Sequence, residues 1–197
     1  MTPKYRSHIV TLKNVLNVVY VGVILLLLFN PTSKAILIRA LMKIGFFQPD
    51  VTVSAKLFSN ERLPDATFTD ATGKTCRLPD LRGKVIFINF RATWCPPCIA
   101  EMPGISQLYN QFQNNQNVVF ITVDVDRQLT KSSIFLKQHK WLLPLYQVNS
   151  ILPKALSGGS IPLTIIFDRQ GKLVYRHEGV ADYTSKGMIE FIQTLSR

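Results

Sequence analysis

Lys84-Val85-Ile86-Phe87-Ile88-Asn89-Phe90 runs directly into Arg91-Ala92-Thr93-Trp94-Cys95-Pro96-Pro97-Cys98-Ile99-Ala100-Glu101-Met102-Pro103. The first part is a nearly continuous apolar run, the mark of a strand buried on both faces. A helix is expected to follow from about Pro96 to Gln113. Cys95 is read as the first helical position, where the positive end of the helix and the Cys98 amide favour a thiolate. Pro96 and Pro97 remove two amide donors from that first turn while presetting helical backbone angles, so they tune the stabilisation of Cys95. Cys98 lies one turn further on, where it can resolve a mixed disulfide within the chain. A Cys-x-x-Cys between a buried strand and a helix is a strong redox signal.

Two other uses of the pair compete. Half a zinc site needs a second Cys/His pair, but His8, His139 and His177 are scattered and Cys76 stands alone. A purely structural bridge would close too short a loop to constrain the unfolded chain much. Three cysteines in 197 residues are also too few for a disulfide scaffold.

Outward from the pair, strands and helices alternate. Phe68 to Thr75 reads as a hairpin around a Gly-containing turn. Asn117–Val123 is a second buried strand, and residues 129–140 form a helix with Thr130 as its cap. Leu145–Val148 is a short strand, followed by a short helix over 151–156. Leu163–Phe167 and Lys172–Arg176 flank Asp168-Arg169-Gln170-Gly171, a hairpin turn. The last helix carries Met188, Phe191, Ile192 and Leu195 on one stripe. This order predicts an α/β fold, a central mixed sheet flanked by helices.

The amino-terminal quarter differs. Val15–Phe29 is apolar but for Asn17, and extension back to Ile9 gives a span long enough to cross a membrane, over residues 9–30 behind a short tail (1–8). A cleaved signal peptide is the alternative, but the apolar run exceeds the usual signal core. Three Lys/Arg precede the run and three follow it, so the positive-inside count is a tie. Residues 31–49 read as a juxtamembrane amphipathic helix with Ile36, Leu37, Ala40, Leu41, Ile44 and Phe47 on one face. That face can lie among lipid headgroups or pack on the globular domain. Gly45 and Pro49 end the helix. The net charge of +11 is concentrated here, since residues 1–49 hold six cations and no acid. It therefore points to anionic lipid rather than nucleic acid.

The stretch from Asn89 to Pro103 resembles the active site of membrane-anchored TlpA/ResA-like thioredoxins. Ile161-Pro162-Leu163-Thr164, with Asp168 and Gly171 beyond, is similar to that family's cis-proline strand and hairpin. The resemblance covers roughly residues 58–197, with a leading hairpin and a strand-helix insertion around 126–156. It implies a thioredoxin fold and single-pass anchoring in a bacterial inner membrane, with the carboxy-terminal domain in the periplasm. It further implies disulfide-bearing protein substrates and a membrane thiol electron donor; no metal or bound cofactor is expected. Cys95 would attack, Cys98 would resolve, and the backbone of Ile161 beside a cis Pro162 would pair with the substrate; a plain turn proline is the alternative. Trp94, Pro96 and Pro97 belong to the same motif. Glu101 matches the family's active-site glutamate, which influences proton transfer at Cys98, against the alternative of a solvated helix acid.

The departures from the pattern matter too. Asn89 stands where thioredoxins proper carry a buried aspartate. Arg91 replaces an apolar aromatic and must reach water or a partner, near Cys95 or on the surface. Pro103 should kink its helix. Cys76 reads as a small buried apolar residue. The function expected is a thiol-disulfide oxidoreductase that reduces its substrates. A copper(I) carrier with Met102 as a further ligand, or a thiol peroxidase, are the alternatives.

Overall fold

The computed structural model describes residues 4–49, 62–149 and 151–197. The domain start expected at residue 58 lies outside them. Helix α1 (Lys4–Phe29) is apolar and exposed from Leu12 to Phe29, and those 18 residues are long enough to cross a membrane. Asn30 breaks it with an extended backbone, and its side-chain oxygen accepts from the amides of Thr32 and Ser33 at 2.9 and 3.3 Å. With Pro31 at the first position, these caps start α2 (Pro31–Lys43). Gly45, at φ +90°, lies just past its end.

The globular part is a seven-stranded mixed sheet. Its strands are β1 (Thr67–Asp70), β2 (Thr75–Arg77), β3 (Val85–Arg91), β4 (Val118–Asp124), β5 (Leu145–Val148), β6 (Leu163–Phe167) and β7 (Leu173–Glu178), in spatial order β2-β1-β5-β4-β3-β6-β7. β4 runs parallel to β3 and β5, whereas β6 is antiparallel to β3 and β7. β3 is central and every one of its residues is buried. Period-two alternation sends Val85 and Phe87 into one core and Ile86, Ile88 and Phe90 into the other. The helices are α3 (Pro96–Phe112), α4 (Leu129–Gln138) and α5 (Lys186–Leu195). The expected insertion supplies α4 and β5, and β5 joins the leading hairpin to the parallel strands.

Several local expectations change. Thr130 lies inside α4, whose N-cap is Gln128 without a side-chain bond. Order is imposed from β4 instead: the Asp124 carboxylate accepts from the amides of Gln128 and Asp126 at 2.8 and 3.3 Å. The helix expected over 151–156 contracts to one 3₁₀ turn, Lys154–Leu156, behind Pro153. The face of α2 that meets the domain is also different. Ile36, Leu37 and Ile44 are exposed, while Ala35, Ile38 and Met42 pack with Ile99 and Ala100 of α3. Phe47 alone of the expected face joins them, and its carbonyl accepts from the Asp182 amide at 2.9 Å.

The reason lies in Pro103. Proline has no N–H to give the carbonyl four residues back, so α3 leaves the Ile99 carbonyl without its helical donor. Arg39 of α2 supplies one through Nη2 at 3.4 Å. Small Ala35 and unbranched Met42 let the two helices approach at that point.

Phe87 lies between the stacked ring of Phe120 and the edge-on ring of Tyr183, at centroid distances of 4.8 and 5.5 Å. Phe87→Ala should destabilise the protein by about 3–5 kcal/mol, measured by urea denaturation of the full chain in detergent micelles. A loss under 1 kcal/mol would mean that this core is not packed as described.

Candidate redox site

The end of β3 and the start of α3 place the two cysteines, with Ala92 packed beside both. Cys95 is the N-cap of α3, one position earlier than expected, because its backbone is still extended (φ −86°, ψ 108°). Pro96 and Pro97 then take the first two helical positions, and Cys98 the third. The pair is joined as a disulfide, with Cα atoms 5.2 Å apart. Even so, the Cys98 amide donates to the Cys95 sulfur at 3.3 Å. A cap usually offers oxygen to this amide; here it offers sulfur.

The Ile161–Pro162 peptide is cis, and the Ile161 carbonyl oxygen lies 3.9 Å from the Cys95 sulfur. A groove of about 400 Å³ opens beside the pair, lined by Trp94, Val125, Leu152, Leu156 and Ile161 among others. Trp94 is exposed, and its indole N–H donates to the Asp126 carboxylate at 2.7 Å. These contacts gather Cys95, Cys98, Trp94, Ile161 and Pro162 at one end of the sheet, although some 66 residues separate the cysteines from the proline strand.

Glu101, three residues past Cys98 on α3, is fully buried and so is not a solvated helix acid. Asn89 donates through Nδ2 to its carboxyl at 2.8 Å and to Thr164 Oγ1 at 2.9 Å. The Tyr183 hydroxyl donates to the same Thr164 oxygen at 2.6 Å. Burial pushes the Glu101 carboxyl well above the usual carboxylate range, against the smaller opposing effects of Asn89 and the Ala181 amide. Burial also raises the Tyr183 phenol, with Glu101 as a second cause. Sequence reasoning missed Tyr183, and gave Thr164 no role beyond its motif. The available signal was a hydroxyl two residues past the proline on the strand that pairs with β3, where Thr164 stands directly opposite Asn89.

Arg91 is not a surface residue. It is 1 % exposed and stands in register opposite Asp124 at the end of β3. Burial lowers its guanidinium to about 10, with Asp124 opposing the shift. Met102 lies in the core with Phe87 and Ile105, while the cysteines form a separate cluster with Ala92, so it is not gathered with the sulfurs as a ligand. Cys76 is a half-buried free thiol on β2, the outermost strand, and burial raises it further.

A thioredoxin-like redox domain is the class that this sheet, dithiol and cis proline define. The Redoxin family matches residues 58–189. The thiol-disulfide oxidoreductase ResA of Bacillus cereus is 30% identical over 153 residues, covering 77% of this chain and 84% of the relative. A thiol:disulfide interchange protein from Bacteroides sp. shares the fold with a TM-score of 0.58 at 18% identity, covering 69% of this chain and 88% of its own. A thioredoxin family protein from Chlorobium tepidum does so with a TM-score of 0.54 at 22% identity, covering 70% and 98%. The chain belongs to the Redoxin family and is a ResA-like thiol-disulfide oxidoreductase.

Because the Glu101 carboxyl is raised on folding, its contribution to stability is full below the unfolded value near 4.3 and falls as pH rises toward the folded value. Within that window wild type should lose about 1.4 kcal/mol per pH unit relative to Glu101→Gln, which keeps an oxygen for Asn89. Denaturation midpoints of both proteins from pH 4 to 9 check this. A gap that does not change with pH would show that Glu101 is ionised in the folded state.

Proposed function

We propose that the protein reduces disulfides of exported proteins at the outer face of a bacterial inner membrane. In this reading residues 1–8 are a tail, 9–30 a single-pass anchor, 31–49 a juxtamembrane helix and 58–197 the catalytic domain in the periplasm. The length and apolar character of α1 support the anchor, and the resemblance of the stretch from Asn89 to Pro103 to TlpA/ResA-like thioredoxins is what favours the reducing direction.

The observation that carries the mechanism is the Cys98 amide aimed at the Cys95 sulfur in the first turn of α3. In the reduced protein that N–H and the helix dipole favour the Cys95 thiolate. The thiolate attacks one sulfur of a substrate disulfide; a mixed disulfide forms and the other substrate sulfur leaves as thiolate. Cys98 then gives up its proton and attacks the Cys95 sulfur, which restores the Cys95–Cys98 bond and frees the second substrate thiol. Two electrons have moved to the substrate. A membrane thiol carrier resupplies them by the reverse exchange. The backbone at Ile161, beside cis Pro162, pairs with the substrate strand next to the Cys95 sulfur.

Glu101 is the proton partner of Cys98. It lies about one helical turn along α3 from that residue, out of water, and burial raises its affinity for a proton, which suits it to hold one and return it. Asn89 holds the carboxyl in place without competing for the proton, since an amide carries no charge.

The full chain in detergent micelles tests the order of attack through insulin reduction. Cys95→Ser should fall to background, whereas Cys76→Ser should match wild type. Cys98→Ser should accumulate covalent adducts with substrate proteins that dithiothreitol releases. Undiminished reduction by Cys95→Ser, or an absence of adducts with Cys98→Ser, would refute this sequence of steps.

A further inference from the structure

Helix α2 has two apolar sides, and only one is used by the domain. At 100° per residue, Ala35, Ile38, Arg39 and Met42 share the side that packs on α3. Leu37, Ala40 and Ile44 fall on the opposite side, with Ile36 and Leu41 at its margins. Leu37 and Ile44 are 51 and 69 % exposed. Lys34 and Lys43 project from the two borders between these sides and are both exposed. Helix α1, apolar to its last residue, stops at Phe29, and Asn30 is the single residue between it and α2.

We infer that α2 is an interfacial helix whose outer side rests on the anionic surface of the bilayer that α1 enters, so that the dithiol is clamped at the membrane rather than hung from a tether. This rests on the reading of α1 as an anchor. If α1 spans, its apolar end fixes Asn30 at the headgroup level, and α2 begins there with no length of chain to carry it away. An apolar strip bordered by lysines is the pattern that such a surface takes, the strip entering the acyl boundary and the cations meeting lipid phosphates. The opposite side grips Ile99 and Ala100, which lie between Cys98 and Glu101 in the chain. The Arg39 bond to the Ile99 carbonyl makes this grip directional, because that carbonyl has lost its helical donor to Pro103. Bilayer, α2 and the reactive end of α3 are thereby one stack. Such a mount limits the orientations in which Cys95 meets a partner and favours a donor in the same membrane, by confinement instead of contact.

Spin labelling of the full chain tests this. Single cysteines at Leu37, Ala40 and Ile44 go into a background with Cys76, Cys95 and Cys98 all changed to Ser. The chains are reconstituted in vesicles of phosphatidylcholine with one third phosphatidylglycerol. Label collision with oxygen, which concentrates in lipid, is compared with collision with a water-soluble nickel chelate. Val19 in α1 serves as the bilayer reference and exposed Asn114 as the water reference. The three α2 labels should show an oxygen-to-chelate ratio several-fold above that of Asn114 and below that of Val19. Ratios equal to that of Asn114, with Val19 still deep, would overturn the inference and leave the anchor standing. A Val19 label that also reads as water would instead overturn the anchor itself. Labels shielded from both reagents, with broadening between chains, would put a second copy of this protein on that side and refute the lipid assignment.

Discussion

One amide governs the reactive sulfur. The first three N–H groups of a helix have no helical acceptor and point at whatever caps the end. In α3 two of those three positions are proline, so Cys98 alone retains a hydrogen, and it is aimed at the Cys95 sulfur. The prolines thus concentrate the first turn's direct stabilisation in a single bond while holding the backbone angles that aim it. The helix dipole adds to it and does not depend on them. The redox character of the pair follows from this economy of donors as much as from the cysteine spacing.

Beneath the sulfurs the chemistry of burial takes over. Glu101 sits in a site where a charge would be costly, yet Asn89 is bound to Thr164 and so cannot turn away from it. Thr164 is itself fixed by Tyr183. A second acid at position 89 would face Glu101 across a hydrogen-bond distance, and one of the two would have to stay protonated. Asparagine removes that conflict. It leaves one carboxyl, one proton and a fixed orientation, which is why a departure from the thioredoxin pattern here is a coherent arrangement rather than a loss.

The elements that sequence revealed are those whose signal is local. Buried strands announce themselves as apolar runs, which is how β3, β4 and β6 were legible, and the dithiol is a motif read within a few residues. What stayed hidden depends on partners far along the chain. Tyr183 is an ordinary aromatic until the fold brings it to Thr164. The side of α2 that meets the domain was not legible, because hydrophobic periodicity finds the most apolar side, whereas the domain selected the side with the small residue and the arginine. Pro103 and Arg39 are 64 positions apart in sequence, and nothing in either segment alone says that one creates the acceptor that the other satisfies. Thr130 looked like a cap because its own neighbourhood suits one, but the Asp124 carboxylate had already ordered that approach.

Arg91 shows how the same strand tolerates a charge where the family has an aromatic ring. The residue is buried and stands in register with Asp124, at the end of the neighbouring strand. With a guanidinium held at about 10, the residue remains charged at neutral pH in spite of its burial. The Arg91 carbonyl accepts from the Val125 amide at 3.1 Å, so its backbone ties the end of β3 to the turn after β4. That turn carries Asp126, which holds the indole of Trp94. The arginine therefore belongs to the frame of the loop that presents Cys95. The nearby Asp124 charge offsets part of what burial costs the cation there.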